Sequence, residues 1–211
     1  MNREELLKQA KPILFNTEMV QAILEGRKTV TRRIIKKLPD GVNRIEEGDF
    51  GTYEAVFGRY NNGCIAEMYQ VMTPPYAAGD YLYVRETWSE WTGGYLYKAW
   101  TSPFHQPGKS SMMRWYPSIH MPKTAARIFL KVKDVRVEQL QDMNEVDSAK
   151  EGVRTDIQTC RLDDPDFIEN FGGIEIFKNL WNSTIKKADL DKYGWEASPW
   201  VWVIEFERVK V

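Results

Sequence analysis

Residues 26–33 read Gly-Arg-Lys-Thr-Val-Thr-Arg-Arg, a run that places an amine, two hydroxyls and three guanidinium groups beside a glycine. Amide hydrolysis needs a nucleophile, a group to take its proton and donors for the developing oxyanion, and Thr31 can supply the hydroxyl. Lys28 acts as a base only where desolvation or nearby cations bring its pKa down from about 10.4 toward neutrality, and Arg33 is a suitable neighbour for that effect. Kept charged, Lys28 instead clamps an oxyanion or a phosphate. A structural reading stands beside both: Lys28, Arg32 and Arg33 are favourable cations near a helix C-terminus and on a solvated strand edge.

The elements around the run can position it. Met19, Val20, Ile23 and Leu24 recur at helical spacing, with Asn16 or Thr17 to cap the start and Gly26 to stop the helix. In the extended stretch that follows, Thr29, Thr31 and Arg33 alternate with Val30, Arg32 and Ile34, so Thr31 and Arg33 share a face toward which Lys28 leans. The segment from Leu38 to Tyr76 is dense in glycine, asparagine and acids, and reads as a loop-rich excursion without regular structure. A strand is predicted over Tyr81–Trp88, with Tyr95–Trp100 as its hairpin partner across Gly93 and Gly94, and a loop over Ser102–Ser111. Pro122–Ala126 reads as a helical turn, and Ile128, Leu130 and Val132 as a strand that bends near Asp134 and continues through Val137. A capped helix over Asn144–Lys150 ends at Gly152, and Ile174, Phe177, Leu180 and Trp181 mark another. Trp200, Trp202, Ile204 and Phe206 share one face of a last strand. Scattered strands with short helices between them argue against repeated βαβ units. They predict an α+β fold, a small and mostly antiparallel β-barrel with flanking helices.

Composition narrows the function. The 211 residues suit one elaborated domain, 1–211, with insertions at about 38–76 and 89–115. Lysine and arginine number 29 against 30 acids, so there is no global basic field, and any contact with nucleic acid must be local. Only Cys64 and Cys160 are present, and Met1–Ala10 is no apolar leader, which predicts a cytoplasmic protein without a disulfide scaffold. No apolar run approaches the roughly 20 residues that span a bilayer, so no membrane association is expected. Two cysteines and two histidines show no metal-ligand spacing, and nothing points to a metal or another cofactor.

Gly26, Lys28, Thr31 and Arg33 match the G-x-K-x-x-T-x-R signature, and the chain resembles the ASCH domains of the PUA-like superfamily. The Gly79–Asp80 turn before Val84–Trp88, the helix ending Ala149–Gly152 and the terminal strand Trp202–Glu207 follow the order of that family. Pro117–Pro122, with Ala126, Arg127 and Ile128, is similar to the longer ASCH proteins of phages and prophages. The resemblance implies a β-barrel whose cleft, lined by the signature, binds RNA, single-stranded DNA or a modified nucleoside. It also offers an alternative: one ASCH branch removes the acetyl group of N4-acetylcytidine with a lysine, a threonine and a glutamate, matched here by Lys28, Thr31 and Glu151, with Glu86 as second candidate for the carboxylate. A third possibility is a phage assembly or host-interaction protein that uses the barrel as a scaffold.

Further candidates come from residue type. His120 lies between Pro117 and Pro122, which restrict its backbone and can aim its imidazole into a cleft; a hydrogen-bonded structural histidine is the competing reading. His105 lies in the proline- and glycine-rich loop. Arg85, Arg114 and Arg127 can bind phosphates or simply face solvent. Among the tryptophans, Trp88 and Trp115 adjoin basic residues or loops and are candidates for stacking on an unpaired base, whereas Trp181, Trp200 and Trp202 read as packing residues.

Overall fold

The computed structural model describes residues 2–61, 64–100, 114–153 and 172–210. Asparagines start the first two helices. Asn2 forms a capping box with Glu5 on α1 (Arg3–Gln9), and the Asn16 side chain accepts from Met19 N at 2.8 Å to open α2 (Thr17–Leu24). Gly26, at φ +78°, then turns the chain out of α2, as its position predicts.

Strands β1 (Lys11–Leu14) and β2 (Val30–Ile34) flank α2 in sequence and form the two outer strands of a five-stranded sheet. Between them lie β6 (Tyr81–Arg85), β9 (Phe129–Gln139) and β10 (Trp200–Val209), in the order β1-β6-β9-β10-β2. The β1–β6 pair is parallel; β6–β9, β9–β10 and β10–β2 are antiparallel. The bend near Asp134 is a bulge: Glu205 faces Asp134 but Phe206 faces Val132, which leaves Lys133 unmatched.

The α+β class is therefore present, but the sheets form no closed barrel. Its two outer strands, of four and five residues, do not pair with each other. Instead α2 bridges them and lays Val20 and Ile23 against Ile13, Leu82, Ile204 and Phe206. Apolar cover from a helix replaces the strand pairing that would close a barrel. The opposite face, carrying Val30, Val201 and Val203, packs against Phe177 and Trp181 of α4 (Gly173–Thr184), which α3 (Glu145–Lys150) contacts and α5 (Leu190–Tyr193) follows in the chain.

Two expectations change. Segment 38–76 is a three-stranded antiparallel sheet, β3 (Val42–Glu47), β4 (Tyr53–Asn61) and β5 (Cys64–Met72). Tyr53, Ala55 and Met72 turn into the main core, where the Tyr53 hydroxyl donates to Val135 O at 2.6 Å and its ring meets Trp202 edge-on at 5.0 Å. Arg44, Glu46 and Glu67 pair on the outer side, so the composition is polar although the alternation is that of a half-buried sheet. The strand expected over Tyr81–Trp88 breaks after Arg85, because Glu86 N donates to Met121 Sδ rather than to a strand and the Glu86 carboxylate is buried on Arg127. The hairpin then forms between β7 (Trp88–Trp91) and β8 (Gly94–Tyr97), and Lys98–Trp100 is a 3-10 turn. The loop expected over Ser102–Ser111, with His105, and Cys160 lie outside the described residues.

Ile204 is fully buried on the face of β10 that α2 covers. Ile204→Ala is expected to cost about 2–5 kcal/mol in urea denaturation, whereas Val146→Ala on α3 should stay within about 0.5 kcal/mol because that side chain is 62% exposed.

Candidate functional site

Strand β2 ends the sheet, so its outer backbone groups need partners other than a strand. Lys28 provides one. Its side chain is wholly shielded, and Nζ donates to Val30 O at 2.8 Å, to Glu151 O at 2.9 Å and to Glu151 Oε2 at 2.5 Å. All three protons of the ammonium are used. Burial pulls the Lys28 pKa below its ordinary value; Glu151 opposes that pull, and Arg33 and Arg32 add to it.

Glu151 caps the C-terminus of α3, where an isolated carboxylate is unfavourable to the helix dipole. It is only 4% exposed and is held by two cations, Lys28 on Oε2 and Arg32 Nη1 on Oε1 at 3.3 Å. Arg32 is buried as well. Its Nε and Nη2 reach Glu138 Oε1 at 2.8 and 2.5 Å, and Nη2 lies 3.6 Å from Asp147. The backbone seals this network where Gly152 crosses α2: at φ +86°, a Cβ there would stand 2.7 Å from Ala22 Cβ and 2.8 Å from Lys28 Cβ. Arg27 also donates to Gly152 O.

In front of the network, between α2 and α4, lies a cavity of about 160 Å³. Thr31, Arg33 and Glu151 line it together with Phe15, Phe177 and Trp181. Lys28 sits behind Glu151, with its ammonium 5.6 Å from the Phe15 ring centre. Arg33 donates to Leu14 O at 2.7 Å and lies 5.3 Å from the same ring; burial lowers its pKa from the ordinary value while Glu151 opposes. Two further cavities share walls with it. One, of about 310 Å³, shares Met19, Leu180 and Glu151 and is also lined by Glu18 and Glu25; the other, of about 470 Å³, shares Arg33, Trp181 and Thr184 and is also lined by Lys36 and Lys186.

The sequence candidates thus divide. Lys28, Thr31, Arg33 and Glu151 converge, and Gly26 supplies the turn that brings the strand into place. Glu86, Arg85, Trp88 and His120 do not line the cleft. Glu86 is buried in a two-pronged pair with Arg127 at 2.9 and 3.0 Å; burial pushes its pKa up and Arg127 opposes. Arg127 in turn lies 4.3 Å from the Tyr97 ring centre, a packing contact that accounts for this arginine without a phosphate. Arg85 donates to Ile119 O, Trp88 is packed between Tyr95 and Tyr116 at 5.7 and 5.1 Å, and His120 is exposed. Arg32 was the residue least visible in the sequence. It alternates away from Thr31 and Arg33, which suggests solvent, and only its acid partners Glu138, Asp147 and Glu151 reveal the opposite. Trp181, which reads as a packing residue, is both packed and part of the cleft wall.

No helix among the described residues is long and apolar enough to cross a membrane, and no group of three or more His, Cys, Asp or Glu among them is arranged to hold a metal ion. No family model, no curated protein and no solved structure matches the chain.

Removing one partner of a buried ion network strands the others. Glu151→Ala is therefore expected to destabilise the fold by about 3–5 kcal/mol, read by chemical denaturation at neutral pH. Lys28 gives a pH signature of definite sign. Because its pKa is lower folded than unfolded, the unfolded chain binds the extra proton in the window below 10.5, and stability rises with pH there. Denaturation series on the wild type and Lys28→Met should show this rise in the wild type relative to the variant; a difference that falls toward 10.5 would reverse the assignment.

Proposed function

We propose that the cleft at the β2 edge binds a nucleobase, as part of an RNA or DNA single strand or as a modified nucleoside, and that the chain is an ASCH-type protein of the PUA-like kind. The observation that carries this reading is the convergence of Thr31, Arg33 and Glu151 on one small cavity walled by Phe15, Phe177 and Trp181. A base is flat and apolar on its faces and carries donors and acceptors on its edges, and this wall offers the complement. Rings pack on its faces, Glu151 accepts from an exocyclic amine, and Thr31 and Arg33 donate to ring carbonyls or nitrogens. The near-balanced net charge fits local recognition rather than broad attraction to a duplex. The phage-type assignment rests on the resemblance of residues 117–128, and the cytoplasmic one on the sparse cysteines.

A second reading, hydrolysis of an acylated exocyclic amine, has one observation in its favour: the Thr31 and Glu151 side chains share the cavity while Lys28 touches Glu151. In that reaction water is added across the acyl C–N bond, releasing a carboxylic acid and the free amine. Binding fits the geometry better, because all three N–H groups of Lys28 are donated and none of its positions is open to take a proton.

Titration of tryptophan fluorescence with cytidine, adenosine, guanosine and short single strands tests the binding reading. Arg33→Ala and Thr31→Val should each weaken the bound ligand about tenfold, or about 1.4 kcal/mol. Absence of binding to every probe would overturn it. Release of acetate from N4-acetylcytidine by the wild type, lost in Thr31→Ala, would establish the hydrolytic reading instead.

A further inference from the structure

The cleft is electrically polarised along its length. Beyond Trp181 its wall carries Lys36 and Lys186, both exposed and neither in an ion pair among the described residues, with Arg33 between them and the base cavity. Asp189 is the acid on that wall. The opposite end passes Glu18 and Glu25, and its cation, Arg27, is bonded to Glu25 at 2.7 Å and to Gly152 O. An anion in this cleft is therefore drawn toward the lysines and repelled from the far end.

Trp181 separates the base cavity from the lysine-lined space, and its orientation is fixed. The indole Nε1 donates to Tyr193 O at 2.8 Å. A ring locked between two compartments, one small and aromatic and the other wide and cationic, suits a ligand with a flat apolar part and an anionic part joined by a short linker. We infer that the ligand carries a phosphate, seated between Arg33, Lys36 and Lys186, and that the cleft selects phosphorylated nucleotides over free nucleosides. This rests on the nucleobase reading of the cleft. Lysines act as point charges without the fixed fork of arginine, so a terminal phosphate and the phosphodiester of a strand are both served by the same pair.

Fluorescence titration of the wild type and of the double variant Lys36→Glu/Lys186→Glu decides the matter, using cytidine, adenosine and guanosine, their 5′-monophosphates, and the CpC, ApA and GpG dinucleoside monophosphates, each at low and at high salt. Both lysines are exposed, so the double variant should melt with the wild type. The expected result is a phosphate-bearing probe bound about tenfold more tightly than its nucleoside, a gain that shrinks with salt and disappears in the double variant while nucleoside affinity is retained. A gain confined to the 5′-monophosphate identifies a terminal phosphate, and one confined to the dinucleoside identifies a strand. Nucleoside binding without any phosphate gain, or a gain that survives the double variant, overturns this inference and leaves the base site standing. If no probe binds, nucleosides included, both fall together.

Discussion

Everything at the β2 edge depends on burying Lys28, Arg32 and Glu151 together. Taking any one of these charges out of water alone costs several kcal/mol, and the three are tolerable only because each satisfies the others. Lys28 fills three acceptors, Glu151 is held on both oxygens, and Arg32 continues the chain of charge to Glu138 and Asp147. This is a demand on the whole fold. The start of β2, the end of α3 and the far strand β9 must arrive at one place in register, and Gly152 must pass α2 at a distance that excludes a side chain. Such a network discriminates sharply against misplacement, since a shift of one residue in β2 exchanges Arg32 with Thr31 or Arg33 and leaves a charge buried without a partner.

The same burial assigns different roles to groups that look equivalent in the sequence. Lys28 is the most reactive-looking member of the signature, yet it lies behind Glu151 and holds that carboxylate in place. What faces the cleft is the carboxylate, with Thr31 and Arg33 beside it. Glu86 is an instructive contrast. It is as buried as Glu151 and also paired to an arginine, but its partner Arg127 is packed on Tyr97, and the pair lies apart from the cleft.

Legibility in the sequence followed the strength of local signals. Asn16 and Asn144 announced helices, Gly26 and Gly152 ended them, and the apolar alternation of β9 and β10 was plain, including the bend at Asp134. Segment 38–76 reads as a loop because Gly48 and Gly51 mark the turn between β3 and β4 and outward side chains such as Arg44, Glu46 and Glu67 are charged. Tyr53, Ala55 and Met72, with the half-buried Val42 and Ile45, record the inward face. The break after Arg85 could not be seen locally, since Glu86 leaves the strand to meet Arg127, forty-one residues later. The site was half legible for the same reason. Residues close together in the signature were found, whereas Phe15, Phe177 and Trp181 reach the cleft from elements whose packing alone brings them there.

The absence of barrel closure and the presence of a cleft have one cause. A closed sheet would have hidden the outer edge of β2 in hydrogen bonds to β1. With α2 covering one face and α4 the other, that edge is left between two helices, and its backbone and side chains must be satisfied by charged groups instead. A strand edge treated in this way acquires polar groups held by a buried network and apolar walls from two helices. Those are the physical requirements of a ligand site. Of the charges that stabilise the unpaired edge, Glu151 is the one turned to the cleft, so the run Gly26–Arg33 divides its work: Lys28 and Arg32 hold the carboxylate from behind, and Thr31 and Arg33 line the cavity beside it.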